Sequence, residues 1–288
     1  MGLMDRVPVS VVRWAGREQF RVPLLGRLLR PAAARLRRKP RVVPHGQAKG
    51  LVINPSGANP GYALGTSEPL VQDAFAEHVP NGGVVWDVGA NVGFYTLIAS
   101  RLVGNGKVVA FEPLPVNRDA LRRNLALNGM ANVEVSALAI GSHDGHARFA
   151  HRWSSGRADL QAKLDVSEQA AGAKRADSDS AEYIDVEMGT LDSQLERFPA
   201  PSLLKMDIEG GEVGALEGAS ELLSKHRPAV ICEFHGTNGP VSDLLEGQGY
   251  SLRVIEMPDV PPRDAPRNVH VLAIPASGPE LDTSSATP

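Results

Sequence analysis

The sequence predicts an α/β fold in which a mainly parallel sheet is covered by helices on both faces. Short apolar runs alternate with helical segments from about residue 51 onward, which is typical of right-handed strand–helix–strand crossovers. Acidic or glycine-rich residues follow several of these runs, as at the ligand-binding edge of such sheets. The 288 residues suffice to bury a large core, and the sequence contains no run of about 18 apolar residues that could span a bilayer.

Seven apolar segments predict strands: Val84 to Asp87, Lys107 to Phe111, Val133 to Ala139, Ser202 to Met206, Ala229 to Glu233, Ser251 to Ile255 and Val269 to Ile274. Four segments predict helices: Phe94 to Leu102, Val116 to Leu127, Val213 to Lys225 and Val241 to Gln248. The connection between the last two strands, "MPDVPPRDAPRN", is rich in proline, which argues against a helix there. These two strands are therefore expected to pair antiparallel, giving a mixed sheet.

The chain also divides into segments of different composition. Residues 1–50 form a basic N-terminal arm, partly helical, with a net charge of +10, whereas the remainder carries −13. Residues 51–276 form the main domain, in which residues 151–181 break the alternation and predict a mobile surface insertion. Residues 277–288 predict a disordered tail.

The basic arm interleaves leucine and arginine in "FRVPLLGRLLRPAAARLRRKPR", and its prolines limit it to short helices. Its leucines could pack on the main domain, or the arm could bind an anionic membrane surface. Nucleic-acid binding is the weaker interpretation because few aromatic residues accompany the arginines. The single cysteine, Cys232, and an N-terminal sequence that lacks an unbroken apolar signal segment predict a cytoplasmic protein. The sequence does not predict an oligomeric state.

The stretch "VVWDVGANVGFYTLIASRL" predicts a ligand-binding turn between the first strand and the first helix. Asp87 ends the strand, and the turn contains Gly89, Ala90, Asn91 and Gly93. Glycines allow tight backbone geometry and a close approach of the ligand to bare amide groups. In open parallel sheets, ligands bind at this carboxyl edge of the strands, where the strand order reverses.

A second acidic residue, Glu112, ends the second strand in "KVVAFEP" and is followed by Pro113. A carboxylate at this position can accept hydrogen bonds from both hydroxyls of a ribose, which predicts a nucleoside-containing cofactor. NAD is one candidate, but its fingerprint needs three glycines, and Asp87 would repel a pyrophosphate. A carboxylate suits a cation better, such as the sulfonium and amino-acid portion of S-adenosylmethionine. Electrostatics therefore favours that cofactor, with NAD as the alternative.

Six motifs resemble those of the FkbM-type methyltransferases, which use S-adenosylmethionine: "WDVGANVGFYT" (86–96), "GKVVAFEPLPVN" (106–117), "LRRNLALNG" (121–129), "GTLDSQL" (189–195), "LLKMDIEGGE" (203–212) and "RPAVICEFHG" (227–236). The motifs stand in the family's order, and the "KMDIEGGE" block is far more specific than a glycine-rich turn alone. The resemblance implies a class I methyltransferase, Rossmann-like fold with a seven-stranded sheet whose last strand is antiparallel. It also implies O-methylation of natural products or glycans.

The resemblance implies that the glycine-rich turn forms the cofactor loop and that Glu112 holds the ribose. Related enzymes place an acidic residue after the third strand to meet the adenine amino group. This chain has "VSALAI" there, so Ser136 or a backbone amide is expected to replace it. The predicted cofactor site comprises Asp87, Gly89, Ala90, Asn91, Gly93, Glu112, Pro113, Ser136 and Asp207.

An alcohol acceptor must lose a proton when it is methylated, and its pKa lies so far above neutrality that a base or a metal ion must assist. Asp207 and Glu209 follow the fourth strand, and Glu233 and His235 follow the fifth. We expect both strands to neighbour the first strand, which would bring these side chains near the methyl group. In one mechanism His235 is the general base, oriented by Glu233 or Asp207. In the other, Asp207, Glu233 and His235 bind a divalent metal ion, and the metal-free mechanism is favoured.

Several neighbouring acidic residues have simpler structural explanations. Glu209 and Glu212 stand at a helix start, where either could stabilise the helix dipole. Ser67 could cap a helix that begins with Glu68 and Pro69, and this role alone would explain the three residues. Whether Glu68 reaches the active site is left open.

The sequence thus predicts an S-adenosylmethionine-dependent O-methyltransferase acting on a hydroxyl of a small molecule, either a sugar or glycan or a secondary metabolite. The alternatives are an NAD-dependent oxidoreductase and a non-catalytic protein that docks on a membrane or on nucleic acid through the basic arm. Ligand binding separates the two enzymes, because S-adenosylhomocysteine would stabilise only the first and NAD only the second.

Overall fold

The computed structural model describes residues 39–154, 157–165 and 181–276. Its strands are β1 Arg41–Val42, β2 Val52–Ile53, β3 Val84–Val88, β4 Lys107–Phe111, β5 Val133–Ser136, β6 Ala139–Ile140, β7 Gly145–Ser154, β8 Arg157–Asp165, β9 Ala181–Gly189, β10 Leu203–Met206, β11 Ala229–Glu233, β12 Tyr250–Val254 and β13 His270–Pro275. Its helices are α1 Pro69–His78, α2 Phe94–Leu102, α3 Pro115–Leu127, α4 Leu191–Gln194, α5 Glu212–Glu217 and α6 Asn238–Gly247. A π-helical turn spans Leu222–His226, and a 3₁₀ turn spans Pro262–Asp264.

The central sheet has seven strands in the order β12-β13-β11-β10-β3-β4-β5. Strand β13 is antiparallel to both of its neighbours, and the pairs from β11 to β5 are parallel. The predicted mainly parallel sheet with an antiparallel last strand is therefore confirmed. The predicted first, fourth and fifth strands correspond to β3, β10 and β11. The expected position of the fourth strand beside the first is confirmed, because β10 pairs with β3. The same expectation for the fifth strand is wrong, because β4 pairs with the other side of β3 and β11 pairs with the outer side of β10.

The strand register brings the carboxyl ends of the parallel strands to one edge of the sheet. Asp87 of β3 lies opposite Lys205 of β10, and Glu233 of β11 lies opposite His270 of β13. Because β13 runs antiparallel, its first residue lies at the edge where the parallel strands end. The sheet thus places a histidine from its last strand among the residues that follow the parallel strands.

Successive residues of β3 pack into two hydrophobic clusters. Trp86 and Val88 belong to one cluster, and Val85 belongs to the other. The Trp86 ring packs edge-on against Phe111 and Phe198, with ring centroids 5.6 and 6.5 Å away. Burial on both faces explains why this strand is a continuous apolar run without an alternating polar face.

The helices that flank the first three strands form where the sequence predicts them. Helix α2 begins and ends at the predicted residues, and α3 begins one residue earlier, at Pro115. The cap of α1 differs from the prediction, because Ser67 is not the capping residue. Glu68 occupies that position in a left-handed conformation with φ 44°, and its side chain makes no cap hydrogen bond. The Glu68 carboxylate is therefore available to interact elsewhere.

The predicted helix over Val213–Lys225 is wrong as one continuous helix. Helix α5 ends at Glu217, and the π-helical turn follows after Gly218. Asp192 explains the second start, since its two carboxylate oxygens accept hydrogen bonds from the backbone amides of Glu221 and Leu222, each at 2.8 Å. This cap comes from a residue distant in sequence, so no local pattern indicates it.

A second sheet of four strands, in the order β6-β9-β7-β8, was not predicted. It includes the described parts of the expected insertion, residues 151–154 in β7, residues 157–165 in β8 and the first residue of β9, whereas the rest of the insertion lies outside the described residues. Its buried residues form a small cluster with Leu114 of the main domain: Ala139, Ala147, Val186 and Met188. So small an apolar surface gives a weak sequence signal.

The termini bear on the predicted division of the chain. Residues 1–38 of the basic arm and residues 277–288 of the predicted tail lie outside the described residues. Val43 and Ala48, which were assigned to the arm, are buried in the same cluster as Leu51 and Ile53, so the packed domain begins before residue 51. None of the helices in the described ranges is long and apolar enough to cross a membrane.

Candidate active site

A cleft of about 280 Å³, including the space open to solvent, lies at the carboxyl edge of the central sheet. It brings together five residues of the predicted cofactor site: Asp87, Gly89, Ala90, Asn91 and Asp207. Four residues that were not predicted as cofactor contacts complete its lining: Tyr62, Phe94, Tyr95 and Lys205. The rings of Tyr62 and Phe94 stack with their centroids 4.6 Å apart. The cleft therefore combines two carboxylates, one lysine and three aromatic rings.

The turn after β3 needs its glycines for two separate reasons. Gly89 has φ 82°, and a Cβ atom there would lie 1.9 Å from the backbone oxygen of Asp207. Gly93 has φ 91°, and a Cβ atom there would lie 2.2 Å from the Leu121 side chain of α3. Left-handed backbone and lack of space both exclude a larger residue. The turn is thus pressed against the residue that follows β10.

Asp87 is buried beneath the cleft. Its carboxylate accepts a hydrogen bond from the Thr96 hydroxyl of α2. Burial raises the pKa of Asp87 to about 6, although the Thr96 hydrogen bond and the positive charge of Lys205 lower it. At neutral pH the fold therefore holds a carboxylate in an environment that disfavours its charge, which a cationic ligand would relieve.

Glu112 is also buried, and its orientation is fixed by the loop it supports. One carboxylate oxygen accepts the backbone amide of Asn91 at 2.8 Å, and the other accepts that of Leu114 at 2.9 Å. Burial raises the pKa of Glu112 to about 7, and these two amides lower it. The Asn117 side chain gives Glu112 a third hydrogen bond, so one of the four lone pairs of the carboxylate is left for a further donor.

The remaining predicted cofactor residues lie at the same sheet edge, behind or beside the cleft. Gly93, Glu112, Pro113 and Ser136 are not among its lining residues. The Ser136 carbonyl accepts the amide of Glu112 at 3.1 Å, and its hydroxyl accepts the amide of Leu138 at 3.3 Å. Ser136 thus stands beside the predicted ribose contact, with its hydroxyl proton still able to donate.

His235 lies in a group of carboxylates next to the cleft. Its Nδ1 atom donates to Glu212, which is completely buried, at 2.8 Å. Its Nε2 atom faces three further carboxylates, 3.5 Å from Glu233, 3.6 Å from Glu209 and 3.7 Å from Asp207. The residue that orients the imidazole is therefore Glu212, whereas Glu233 or Asp207 was expected.

The charges around His235 change its protonation. Burial alone would lower its pKa, but the hydrogen bond to Glu212 and the charges of Glu233 and Asp207 raise the pKa to about 9. Burial and the neighbouring Asp207 raise the pKa of Glu233 to about 7, against the lowering effect of His270, Lys205 and His235. At neutral pH His235 therefore carries a proton, which must leave before it can act as a base.

His270 is a site residue that the sequence reasoning missed. It is 2% exposed, and its Nε2 atom lies 3.4 Å from a Glu233 oxygen and 3.8 Å from a Glu68 oxygen. Its Nδ1 atom donates to Glu256 at 2.7 Å. The available signal was a histidine at the start of an otherwise apolar strand predicted to be antiparallel, because such a residue reaches the edge where the parallel strands end.

Lys205 and Glu68 connect the cleft to this group. The Lys205 ammonium is buried, lies 3.8 Å from Asp207 and sits 5.0 Å from the centre of the Tyr95 ring. Burial lowers its pKa, but Asp207, Glu68 and Glu233 together raise it above the usual value. Glu68 accepts a hydrogen bond from the Tyr95 hydroxyl at 2.8 Å, so it does reach the site.

These residues can do two things chemically. The carboxylates of the cleft can hold a cation, and the group beside it can accept a proton. Asp207, Glu233 and His235 also offer one ligand atom each within 4.8 Å of one another, which suits a metal ion. Residues 87–252, which include Asp87, Asp207, Glu233 and His235, match the family model described as the methyltransferase FkbM domain. The chain belongs to the FkbM methyltransferase family.

Three relatives of this FkbM-family methyltransferase are each 28% or 29% identical to it in sequence. It is 29% identical over 224 residues to methyltransferase sdnD of Sordaria araneosa, covering 66% of this chain and 85% of that protein. It is 29% identical over 196 residues to the 31-O-demethyl-FK506 methyltransferase FkbM of Streptomyces tacrolimicus, and the match covers 59% of this chain and 74% of that protein. It is 28% identical over 184 residues to the hexuronic acid methyltransferase AglP of Haloferax volcanii, and the match covers 63% of this chain and 69% of that protein.

Membership in this family decides between the functions that the sequence left open. The enzyme is a methyltransferase, and the NAD-dependent oxidoreductase and the non-catalytic docking protein are set aside. The absence of a pyrophosphate-type glycine fingerprint and the acidic lining of the cleft agree with that choice.

Proposed function

We propose that this methyltransferase uses S-adenosylmethionine to methylate a hydroxyl oxygen of a small molecule, a sugar, a glycan or a secondary metabolite. The observation that carries the proposal is the pair of carboxylates, Asp87 and Asp207, lining a cleft at the switch edge of the sheet. One relative supports an oxygen acceptor by its name, the 31-O-demethyl-FK506 methyltransferase, and another, the hexuronic acid methyltransferase, supports a sugar-derived acceptor.

The residues of the cleft fit this cofactor. Asn91 lines the cleft, and its side-chain oxygen is buried without a hydrogen-bond partner in the described part of the chain, so a ligand donor would satisfy it. Gly89 also lines the cleft, where a side chain is excluded because its Cβ atom would meet the backbone oxygen of Asp207. When bound, S-adenosylmethionine supplies a methyl group on a positively charged sulfur, which suits an acidic cleft.

In the proposed site the acidic residues have different tasks, and Asp207 takes part in two of them. Asp87 and Asp207 hold the positively charged portion, and Glu112 accepts a ribose hydroxyl with the lone pair that its three partners, Asn91, Leu114 and Asn117, leave unused. Ser136 and Pro113 border the adenine. The stacked pair of Tyr62 and Phe94 supplies an apolar wall, which excludes water from one side of the cleft.

Proton removal from the acceptor belongs to the group formed by Asp207, Glu233 and His235. The acceptor oxygen gains the methyl carbon, so its hydroxyl proton must pass to one of these side chains or to solvent. Glu212 keeps the His235 ring turned toward the group. Since His235 is protonated at neutral pH, we assign proton removal to the group as a unit and not to His235 alone.

Ligand binding tests the proposal without knowledge of the acceptor. S-adenosylhomocysteine should raise the melting temperature of the full chain, and NAD should leave it unchanged. Transfer from labelled S-adenosylmethionine to a panel of sugars and hydroxylated metabolites then tests the acceptor class. A stabilising effect of NAD, or no effect of S-adenosylhomocysteine at saturating concentration, contradicts the proposal. A cytoplasmic location stays part of it, based on the single cysteine.

A further inference from the structure

We propose that Asp207, Glu233 and His235 bind a divalent metal ion of the Mg²⁺ and Mn²⁺ class beside the cleft. This proposal rests on the proposed function for its purpose, because a bound cation would make an acceptor hydroxyl more acidic. Metal binding itself can be measured without the methyl donor or the acceptor. It reverses the preference for a metal-free mechanism that the sequence alone suggests.

The possible ligand atoms of the three residues lie close enough together to share one ion. The His235 Nε2 atom lies 3.5 Å from a Glu233 oxygen and 3.7 Å from an Asp207 oxygen, too far for good hydrogen bonds. Two atoms that share an ion at about 2.1 Å are about 3.0 Å apart at right angles and about 3.4 Å apart at the tetrahedral angle. The observed separations exceed the right-angle value of an octahedral site by about 0.5 and 0.7 Å, so the side chains would move inward by that amount to share one ion.

Two imidazole Nε2 atoms face the carboxylates at distances that are long for hydrogen bonds. The His235 side chain is 10% exposed, and its Nε2 atom lies 3.5 to 3.7 Å from Asp207, Glu209 and Glu233. His270 is 2% exposed, and its Nε2 atom, 3.4 Å from the second Glu233 oxygen, has no hydrogen-bond partner in the described part of the chain. The hydrogen bonding of this group is therefore incomplete, and an ion bound between His235 and the carboxylates would give the His235 Nε2 atom a partner.

His235 and Glu233 also have neighbouring side chains that limit how they can move. A histidine that binds a metal donates its other ring nitrogen to a carboxylate or a carbonyl, and metal-binding carboxylates are themselves hydrogen-bonded. His235 donates its Nδ1 hydrogen to the buried Glu212 at 2.8 Å. Glu233 has His270 at its second oxygen, and Glu256 fixes the His270 ring at 2.7 Å. His235 therefore has the hydrogen-bond partner that orients a metal ligand, and Glu233 has an imidazole neighbour at 3.4 Å from its second oxygen.

The charges of the group also favour a cation. Three carboxylates face the His235 Nε2 atom and a fourth, Glu212, accepts from its Nδ1 atom, whereas Lys205 and protonated His235 contribute two positive charges. The remaining negative charge favours a divalent cation. A donor set of mainly carboxylate oxygens suits Mg²⁺ or Mn²⁺ better than softer metals.

Manganese binding tests the proposal directly. The full chain is treated with a chelator, and Mn²⁺ is titrated while its free concentration is followed by electron paramagnetic resonance. We expect one saturable site per chain and at least about tenfold weaker binding in Glu233→Gln. Glu134→Gln, which alters an exposed carboxylate on β5, should bind Mn²⁺ like the wild type.

S-adenosylhomocysteine binding by the same samples separates the outcomes. Unchanged affinity in Glu233→Gln shows that this variant is folded, and His235→Gln replaces it in the Mn²⁺ titration if it is not. Wild type that binds S-adenosylhomocysteine but lacks saturable Mn²⁺ binding overturns the metal site alone. A folded variant that binds Mn²⁺ as tightly as wild type overturns it as well. Wild type that binds Mn²⁺ but not S-adenosylhomocysteine supports the metal site and contradicts the proposed function.

Discussion

The Nδ1 atom of His235 donates to a carboxylate oxygen of Glu212 at 2.8 Å, and Glu212 has no exposed surface. Glu212 also accepts the amide of Gly210 at 2.9 Å and the hydroxyl of Thr237 at 3.0 Å. These three donors come from the ends of β10 and β11, so Glu212 joins the two segments that carry the candidate catalytic residues. Glu212 therefore sets the orientation of the imidazole.

Glu212→Gln should lower turnover while leaving S-adenosylhomocysteine affinity near that of wild type. A glutamine amide nitrogen cannot accept from the donors that now surround Glu212, so the His235 ring loses its fixed orientation. We expect kcat to fall by about a hundredfold, the size typical of a lost acid–base contribution. Steady-state kinetics on the hydroxyl acceptor found in the panel measures this. Glu217→Gln, an exposed change on the same helix, is the control, and equal kcat values in the two variants would argue against an orienting role.

Glu112→Gln should weaken S-adenosylhomocysteine binding. The loss of one charge-assisted hydrogen bond to the ribose is worth about 1.5 to 3 kcal/mol, or roughly ten- to 150-fold in the dissociation constant. Calorimetric titration measures the affinity, and circular dichroism checks the fold. Glu134→Gln on the neighbouring strand β5 should bind normally. Wild-type affinity in a folded Glu112→Gln protein would remove Glu112 from the cofactor site.

Asp87→Asn should increase the free energy of unfolding, and more so at pH 8 than at pH 5. Burial raises the pKa of Asp87 to about 6, above its value of 3.8 in an unfolded chain, so the native state is destabilised as pH rises from the lower value through the higher. Asparagine escapes this effect. The gain is on the order of 3 kcal/mol at pH 8 and roughly half of that at pH 5.

Urea denaturation of wild type and Asp87→Asn at both pH values measures this difference. Asp119→Asn, a change at an exposed carboxylate on α3, is the control and should show no such pH dependence. A variant that is less stable than wild type at pH 8 would show that Asp87 stabilises the fold, contrary to the present assignment of a strained, ligand-binding carboxylate.

Gly89→Ala should destabilise the protein by more than about 2 kcal/mol and abolish cofactor binding. The new Cβ atom would meet the backbone oxygen of Asp207 at 1.9 Å, and φ 82° is unfavourable for alanine. Gly239→Ala in α6 is a matched control, since a Cβ atom there meets nothing within 4 Å. That change should stabilise the protein by up to about 1 kcal/mol. Thermal denaturation of both variants distinguishes a specific requirement for glycine from a general effect of the substitution.

The central sheet could be predicted because its signals are local. Val84 to Val88 and Lys107 to Phe111 are buried on both faces, so each is a continuous apolar run, and α2 begins directly after the glycine-rich turn. The acidic ends of these strands were visible in the same runs. This is why the positions of Asp87 and Glu112 at one sheet edge followed from the sequence.

The remaining features depend on contacts between distant residues. The partner of His235 is Glu212, which the sequence presents as an ordinary helix-start glutamate, and only the fold shows that it is buried. His270 reaches the site because β13 is inserted antiparallel between β11 and β12. The break after α5 depends on Asp192, about thirty residues earlier in the chain. No periodicity within one segment contains this information.

A crystal structure of the full chain with S-adenosylhomocysteine tests the central claim most directly. We expect a ribose hydroxyl of the ligand within hydrogen-bonding distance of Glu112 and its amino-acid portion in the cleft beside Asp87 and Asp207. A ligand bound elsewhere on the protein, or a cleft that stays empty at saturating ligand, would contradict it.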